Sequence, residues 1–127
     1  MLFAGTATLN AGNIKSKIYF AIENEFKKSP DGIWKGKNNT FYKLDKDLSL
    51  LSSADAKTWE KSKEQMWQDK DNYWYKIEGK NFLCSKDATK WNPGKNSKGE
   101  NANWEAEDGM WCKFDSNLTL WIKKAGN

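Results

Sequence analysis

The 127-residue chain contains no histidine and no arginine. The first absence excludes histidine-based catalytic triads, the usual imidazole acid–base chemistry and the mixed zinc sites that pair histidine with cysteine. The second means that all 21 basic residues are lysines. A lysine is a point charge rather than a planar fork, which argues against specific readout of guanine edges or phosphates. Cysteine is scarce too. Cys84 and Cys112 are the only two, too few for a thiolate metal site. Spacing leaves open one disulfide in an oxidising compartment or two small buried thiols. No apolar run approaches the roughly 18 residues of a spanning helix. The opening Met1-Leu2-Phe3-Ala4-Gly5 lacks the basic start and the apolar stretch of a signal peptide. The compartment is therefore open, and a secreted or cell-surface protein would need a leader already removed or another route.

Apolar residues make up only 38% of the chain. Eight Trp, six Phe and four Tyr offset that shortage, because one aromatic ring buries about 150–250 Å². The length suits a single domain over residues 1–127. Its net charge of +4 is spread thinly, with no basic arm.

The strongest pattern is internal repetition. Trp67-Gln-Asp-Lys-Asp71-Asn72-Tyr-Trp74-Tyr-Lys76-Ile77-Glu78 aligns without a gap on Trp104-Glu-Ala-Glu-Asp108-Gly109-Met-Trp111-Cys-Lys113-Phe114-Asp115. A looser copy at Phe26 to Trp34, through Asp31-Gly32, needs one inserted residue, and Phe41-Tyr42-Lys43-Leu44-Asp45 matches the tail. Read this way, the leading Trp34, Trp74 and Trp111 lie 40 and 37 residues apart. A second shared element, Ser-x-Asp-Ala-x-x-Trp, occurs at Ser53 to Trp59 and Ser85 to Trp91. The last copy ends after Leu118-Thr119-Leu120-Trp121. Periods of this size mean stacked or symmetric units that bury a shared core.

Each unit reads as a hairpin. Asp-Gly and Asp-Asn tolerate the left-handed backbone of tight turns, and large aromatics bracket both. The expectation is an all-β or mainly β fold of three imperfect Trp-anchored repeats of about 37–40 residues, β-trefoil-like or propeller-blade-like. A strand is expected at Ile18 to Ile22, and an edge strand or loop at 1–13. A short helix is expected near 54–67, capped by Ser53 or Asp55, with Trp59, Ser62 and Met66 on one stripe. Asn92 to Asn103 reads as a long polar loop.

Ser52-Ser53-Ala54-Asp55-Ala56-Lys57-Thr58-Trp59 faintly resembles the Asp-box of sialidase-like propellers, Ser-x-Asp-x-Gly-x-Thr-Trp. The Asp is displaced by one and Ala56 replaces the glycine, so membership is not assigned. In that family the motif builds hairpin turns away from the catalytic centre, so the resemblance implies fold and not activity.

Exposed Trp and Tyr can stack on the apolar faces of sugar rings while Asp and Asn bond the hydroxyls. The candidate set is Trp67, Asp71, Asn72, Trp74, Trp104, Asp108 and Trp111. A Trp recurring in every unit is first a core anchor, and the turn acids are first Asx turns. The sequence nonetheless argues for a non-catalytic, lectin-like domain that binds carbohydrate. A protein-binding inhibitor, immunity or assembly domain is the alternative, and nucleic-acid binding a minor one. No catalytic residue, metal site or cofactor is indicated by spacing. A short repeat array can also close by forming a homo-oligomer.

Overall fold

The computed structural model describes residues 25–124. The strand expected at Ile18 to Ile22 and the segment 1–13 lie outside the described residues. Three four-stranded antiparallel sheets make up the fold. The first holds β2 (Trp34–Lys35), β3 (Phe41–Leu44), β4 (Leu50–Ser53) and β5 (Glu60–Lys61). The second holds β6 (Trp67–Gln68), β7 (Trp74–Glu78), β8 (Asn81–Ser85) and β9 (Asn92–Pro93). The third holds β10 (Trp104–Glu105), β11 (Trp111–Phe114), β12 (Leu120–Lys123) and, on its far side, β1 (Lys27–Lys28). Strands follow one another in chain order throughout the first two sheets, and in the third β10, β11 and β12 do so before β1 adds at the edge of β12, so each sheet is a four-stranded meander in space. The mainly β, three-repeat expectation holds.

The register of the first unit differs from the expected one. Trp34 pairs with Tyr42, Trp67 with Tyr75, and Trp104 with Cys112. Trp34 is therefore equivalent to Trp67 and Trp104, not to Trp74 and Trp111. The left-handed turn residue of the first hairpin is Asn39, matching Asn72 and Gly109, with φ of 60°, 74° and 89°. Asp31-Gly32 lies instead in the connection from β1 to β2. The third unit is not truncated, because β1 completes it: Lys27 pairs with Ile122 and Lys28 with Trp121. The N-terminal end of the described chain thus closes the sheet begun by its C-terminal end.

No helix forms over 54–67, where bends and β5 stand instead. Ser53 Oγ accepts from Ala56 N at 2.9 Å, and Asp55 Oδ1 accepts from Lys57 N and Thr58 N. These are capping bonds, but Ala56 at φ 63° turns the chain away from a helix. Ser85, Asp87 and Ala88 repeat the same turn. The motif that resembled an Asp-box is a turn leading from the third strand to the fourth. The loop at 92–103 begins with β9 and bends back through a Lys95–Asn101 bridge.

Alternation along the strands sends every second residue to one face. Tyr42 and Leu44, Tyr75 and Ile77, Cys112 and Phe114 face inward with Leu50, Phe82 and Leu120. At the centre Trp34, Trp67 and Trp104 converge with ring centroids 4.9, 5.4 and 5.7 Å apart. Their indole N–H groups have no oxygen or nitrogen acceptor. The surrounding rings offer only weak N–H to π contacts in exchange. The first strands also touch directly: Lys70 N donates to Glu105 O and Glu107 N to Lys35 O, both at 3.0 Å.

Two residues beyond each central Trp, the third residue of the hairpin is fitted to the residue paired with that Trp. Gly36 faces Tyr42, and a Cβ there would stand 2.5 Å from the ring. Asp69 is buried and accepts from the Tyr75 hydroxyl at 2.7 Å. Ala106 neighbours the small Cys112. Gly36→Ala should therefore displace the Tyr42 ring and cost about 1–3 kcal/mol, read as a lower denaturant midpoint with an unchanged m value. The equivalent Ala106 shows that the backbone itself accepts a Cβ, so the cost belongs to the ring.

Candidate functional site

The seven sequence-predicted residues do not form one site. Trp67 and Trp104 are each 1% exposed and pack against each other in the core. As ligand-stacking residues they are corrected: each opens its hairpin on the inward face, so no ring surface is left for a ligand. Asp71, Asn72 and Asp108 are exposed at hairpin tips. Asp108 Oδ1 accepts from Met110 N at 3.1 Å, which is an Asx turn. Trp74 and Trp111 are half-buried on the opposite, outer face of their sheets.

On that outer face the three units repeat one arrangement. Phe41 opposes Ser53, and Lys43 lies in a row with Leu51 and Lys61. Trp74 opposes Ser85, and Lys76 lies in a row with Leu83 and Pro93. Trp111 opposes Lys123, and Lys113 lies in a row with Trp121 and Lys28. A second aromatic stands just before each fourth strand: Trp59, Trp91 and Phe26. Each receives the equivalent lysine over its ring. Lys43 Nζ is 4.4 Å from the Trp59 centroid, Lys76 4.5 Å from Trp91, and Lys113 4.6 Å from Phe26. Each sheet thus presents two half-buried rings flanking its third strand, about 10 Å apart at the backbone, with a lysine between them. An ammonium has three donors and spends none of them on the ring.

Two cavities adjoin these faces. One of about 440 Å³ beside Trp59 is lined by Thr40, Ser52, Ser53, Asp55 and Thr58. A larger one of about 660 Å³ lies where the 95–103 loop meets the third sheet, between Phe26, Trp121, Lys113, Asn96 and Asn101. Asn101 Nδ2 fastens the loop there by donating to Phe114 O and Asp115 O at 3.3 and 3.2 Å. Among the described residues no group of three or more Cys, Asp and Glu could hold a metal ion. No helix there is long and apolar enough to cross a membrane.

The ionisable groups are tuned by the turns. Backbone N–H donors from Thr58 and Lys57, then the Ser53 hydroxyl, hold the Asp55 carboxyl below its ordinary range. Lys90, Thr89 and Ser85 do the same for Asp87. For Asp115, burial pushes upward but the Trp121 indole N–H and the backbone of Thr119 and Asn117 prevail and lower it. A lowered folded pKa contributes stability that is full above the unfolded value, about 3.9, and is lost as pH falls through the folded value. Stability should be level from neutral pH to about 5 and drop below about 4. The double variant Asp55→Asn, Asp87→Asn keeps the acceptors without the charge. It should flatten part of that acid limb in thermal melts from pH 2 to 7; an unchanged limb would place the linkage elsewhere. Cys84 and Cys112 are both free thiols. Burial raises both, and Cys112 reaches about 12, so they serve as small apolar residues.

No known protein family, characterised protein or solved structure matches the chain. The outer faces are therefore read from their own geometry. Sequence reasoning passed over Trp59, Trp91 and Trp121 as site residues, although the first two close the Ser-x-Asp-Ala-x-x-Trp element. Their alternation with Lys43, Lys76 and Lys113 appears only once the strands are in register.

Proposed function

We propose that the domain is a non-catalytic carbohydrate-binding module whose ligand lies across the outer faces of its sheets. The observation that carries this reading is the repetition of one aromatic pair with its lysine on all three sheets. Packing within a sheet needs large residues on the inward face and does not by itself demand rings outside. Two rings about 10 Å apart suit two linked sugar rings, whose axial hydrogens stack on the aromatics. The Thr58 hydroxyl, the lysine ammonium groups and the turn residues Asp71, Asn72 and Asp108 supply polar partners. Three shallow faces would act together through avidity.

A glycan array at about 150 mM salt tests this, with intrinsic Trp emission followed during titration of each hit. A saccharide that binds and shifts the emission is the expected result. Silence across a broad array, with a folded monomeric sample, rejects it. A protein partner is the second reading, and the 95–103 loop favours it, since that loop breaks the repeat on one side only.

A further inference from the structure

The three outer faces share their rings but not their charge. On the second sheet the single lysine of the face, Lys76, is paired with Glu78 at 3.6 Å, and its row ends in Pro93. On the first sheet three lysines share the face but not one ring: Lys43 and Lys61 flank Leu51, and Lys35 lies opposite Phe41 with its Nζ 5.3 Å from that ring's centroid. On the third sheet lysines and rings alternate across three strands. The row Trp111–Lys123 continues to Phe26, and beneath it Lys113–Trp121 continues to Lys28. Six neighbouring positions thus hold three rings and three lysines, and the acid that follows Trp111 in its row, Glu105, is paired away with Lys70 at 3.7 Å.

Two of those lysines crowd one ring. Lys113 Nζ lies 4.6 Å and Lys123 Nζ 5.2 Å from the Phe26 centroid. Two ammonium groups over one ring repel each other, and a single quadrupole only partly offsets that. Among the described residues neither has a carboxylate within ion-pair distance. Asp115, which lines the adjoining cavity together with Glu100, is already engaged: Oδ2 accepts from the Trp121 indole at 2.9 Å, and Oδ1 from Asn117 N and Thr119 N. Two ammonium groups over the same ring match one carboxylate or sulfate that accepts from both. The same face opens into the cavity of about 660 Å³ under the 95–103 loop, within the size range of small-ligand sites. Its lining includes the exposed Asn103 amide and Ser116 hydroxyl, which match sugar hydroxyls as donor and acceptor at once, while the amides of Asn96 and Asn101 are held within the loop and its seat.

We infer that the outer face of the third sheet is an acidic-sugar site. A carboxylate or sulfate of the glycan bridges Lys113 and Lys123, and its neighbouring ring lies against Trp121 or Trp111. This rests on the carbohydrate reading above and narrows it to one face and one charge. The absence of arginine, the usual reader of guanine edges and phosphates, favours a glycan over a nucleic-acid strand on the same rings and lysines.

The probes are an oligogalacturonide hexamer, its fully methyl-esterified form, a sulfated hexasaccharide of heparin type and a dT12 oligonucleotide. Each is titrated by calorimetry against the wild-type chain, Lys113→Gln, Lys123→Gln and, as a charge-matched control at an exposed hairpin tip, Lys80→Gln. Near-UV circular dichroism confirms that each variant keeps its packing. The expected result is binding of at least one charged hexamer, a tenfold or greater loss with the methyl ester if the uronate is the one bound, and a similar loss with Lys113→Gln and Lys123→Gln but not with Lys80→Gln. Equal binding of the ester and the free acid, or no effect of either third-sheet variant, overturns the site while leaving the carbohydrate reading intact. Tighter binding of dT12 than of every hexamer also overturns it and assigns the face to single-stranded nucleic acid. No binding of any saccharide, here or on the array, removes both.

Discussion

Replacing Trp104 by alanine should nearly unfold this domain. The ring is 1% exposed and meets Trp34, Trp67, Tyr75, Phe82 and Phe114 at centroid separations of 5.2 to 5.7 Å. Truncating a buried Trp costs about 3–5 kcal/mol through lost transfer energy and the cavity left behind. A domain of this size has about 5–15 kcal/mol in all. Here the loss falls where all three sheets meet, so no single unit can close over it. Urea unfolding followed by far-UV circular dichroism should show a midpoint displaced by a third or more. Trp104→Phe provides the contrast. It keeps much of the ring and removes an indole N–H that has no acceptor, so it should cost well under half as much. Equal costs for the two variants would mean that the indole N–H is satisfied in solution.

The repeat was legible because its marks are local. Asp-Asn and Asp-Gly beside Trp74 and Trp111 fix hairpin turns whatever surrounds them, and the gapless match of the second and third units carried the fold class. The first unit misled because its own turn, at Asn38-Asn39, is followed by Phe41 where the others have Trp. Asp31-Gly32 imitates the turn upstream, and Gly32 does adopt a positive φ of 70°, but in a connection between sheets. The constant eight-residue step from Trp34 to Tyr42, Trp67 to Tyr75 and Trp104 to Cys112 was the signal that would have set the register. The helix expected near 54–67 failed for a related reason. Ser-x-Asp supplies the same N–H acceptors to a turn as to a helix cap, and only the backbone angle of Ala56 separates them.

The candidate site was half legible. A conspicuous Trp says nothing about which face of a strand it occupies, and a one-residue shift in register exchanges core for surface. That is why Trp67 and Trp104 were grouped with Trp74 and Trp111, although the sheet stands between the pairs. The lysine clamps were not legible at all, since Lys43 and Trp59, or Lys113 and Phe26, meet only across an intervening strand. Phe26 in particular joins the face from the opposite end of the chain.

That closure gives the second large effect. A chain lacking residues 1–29 should fail to form a stable monomer, because it loses β1, the Phe26 ring under two lysines, and the Ser29 N bond to Leu120 O at 3.0 Å. The bared β12 edge would pair with another chain, visible as dimers or aggregates on size-exclusion chromatography. Loss of function alone would not distinguish closure from a general need for those residues, so a permuted chain decides. In the first two units a six-residue turn, Ala54 to Trp59 or Lys86 to Trp91, joins the third strand to the start of the fourth. Equivalence predicts that the same turn can join Lys123 to the fourth strand of the third sheet. A permutant starting at Pro30, running to Lys123, and continuing through Lys-Asp-Ala-Thr-Lys into residues 26–29, so that Phe26 closes the six-residue turn, should be a monomer. Its unfolding free energy should lie within about 1–2 kcal/mol of the parent's, because the same strand is supplied through a connection the fold already uses twice. If the permutant aggregates as the truncated chain does, β1 does not hold the third sheet closed. If both are stable monomers, the ring is closed by its tryptophans alone.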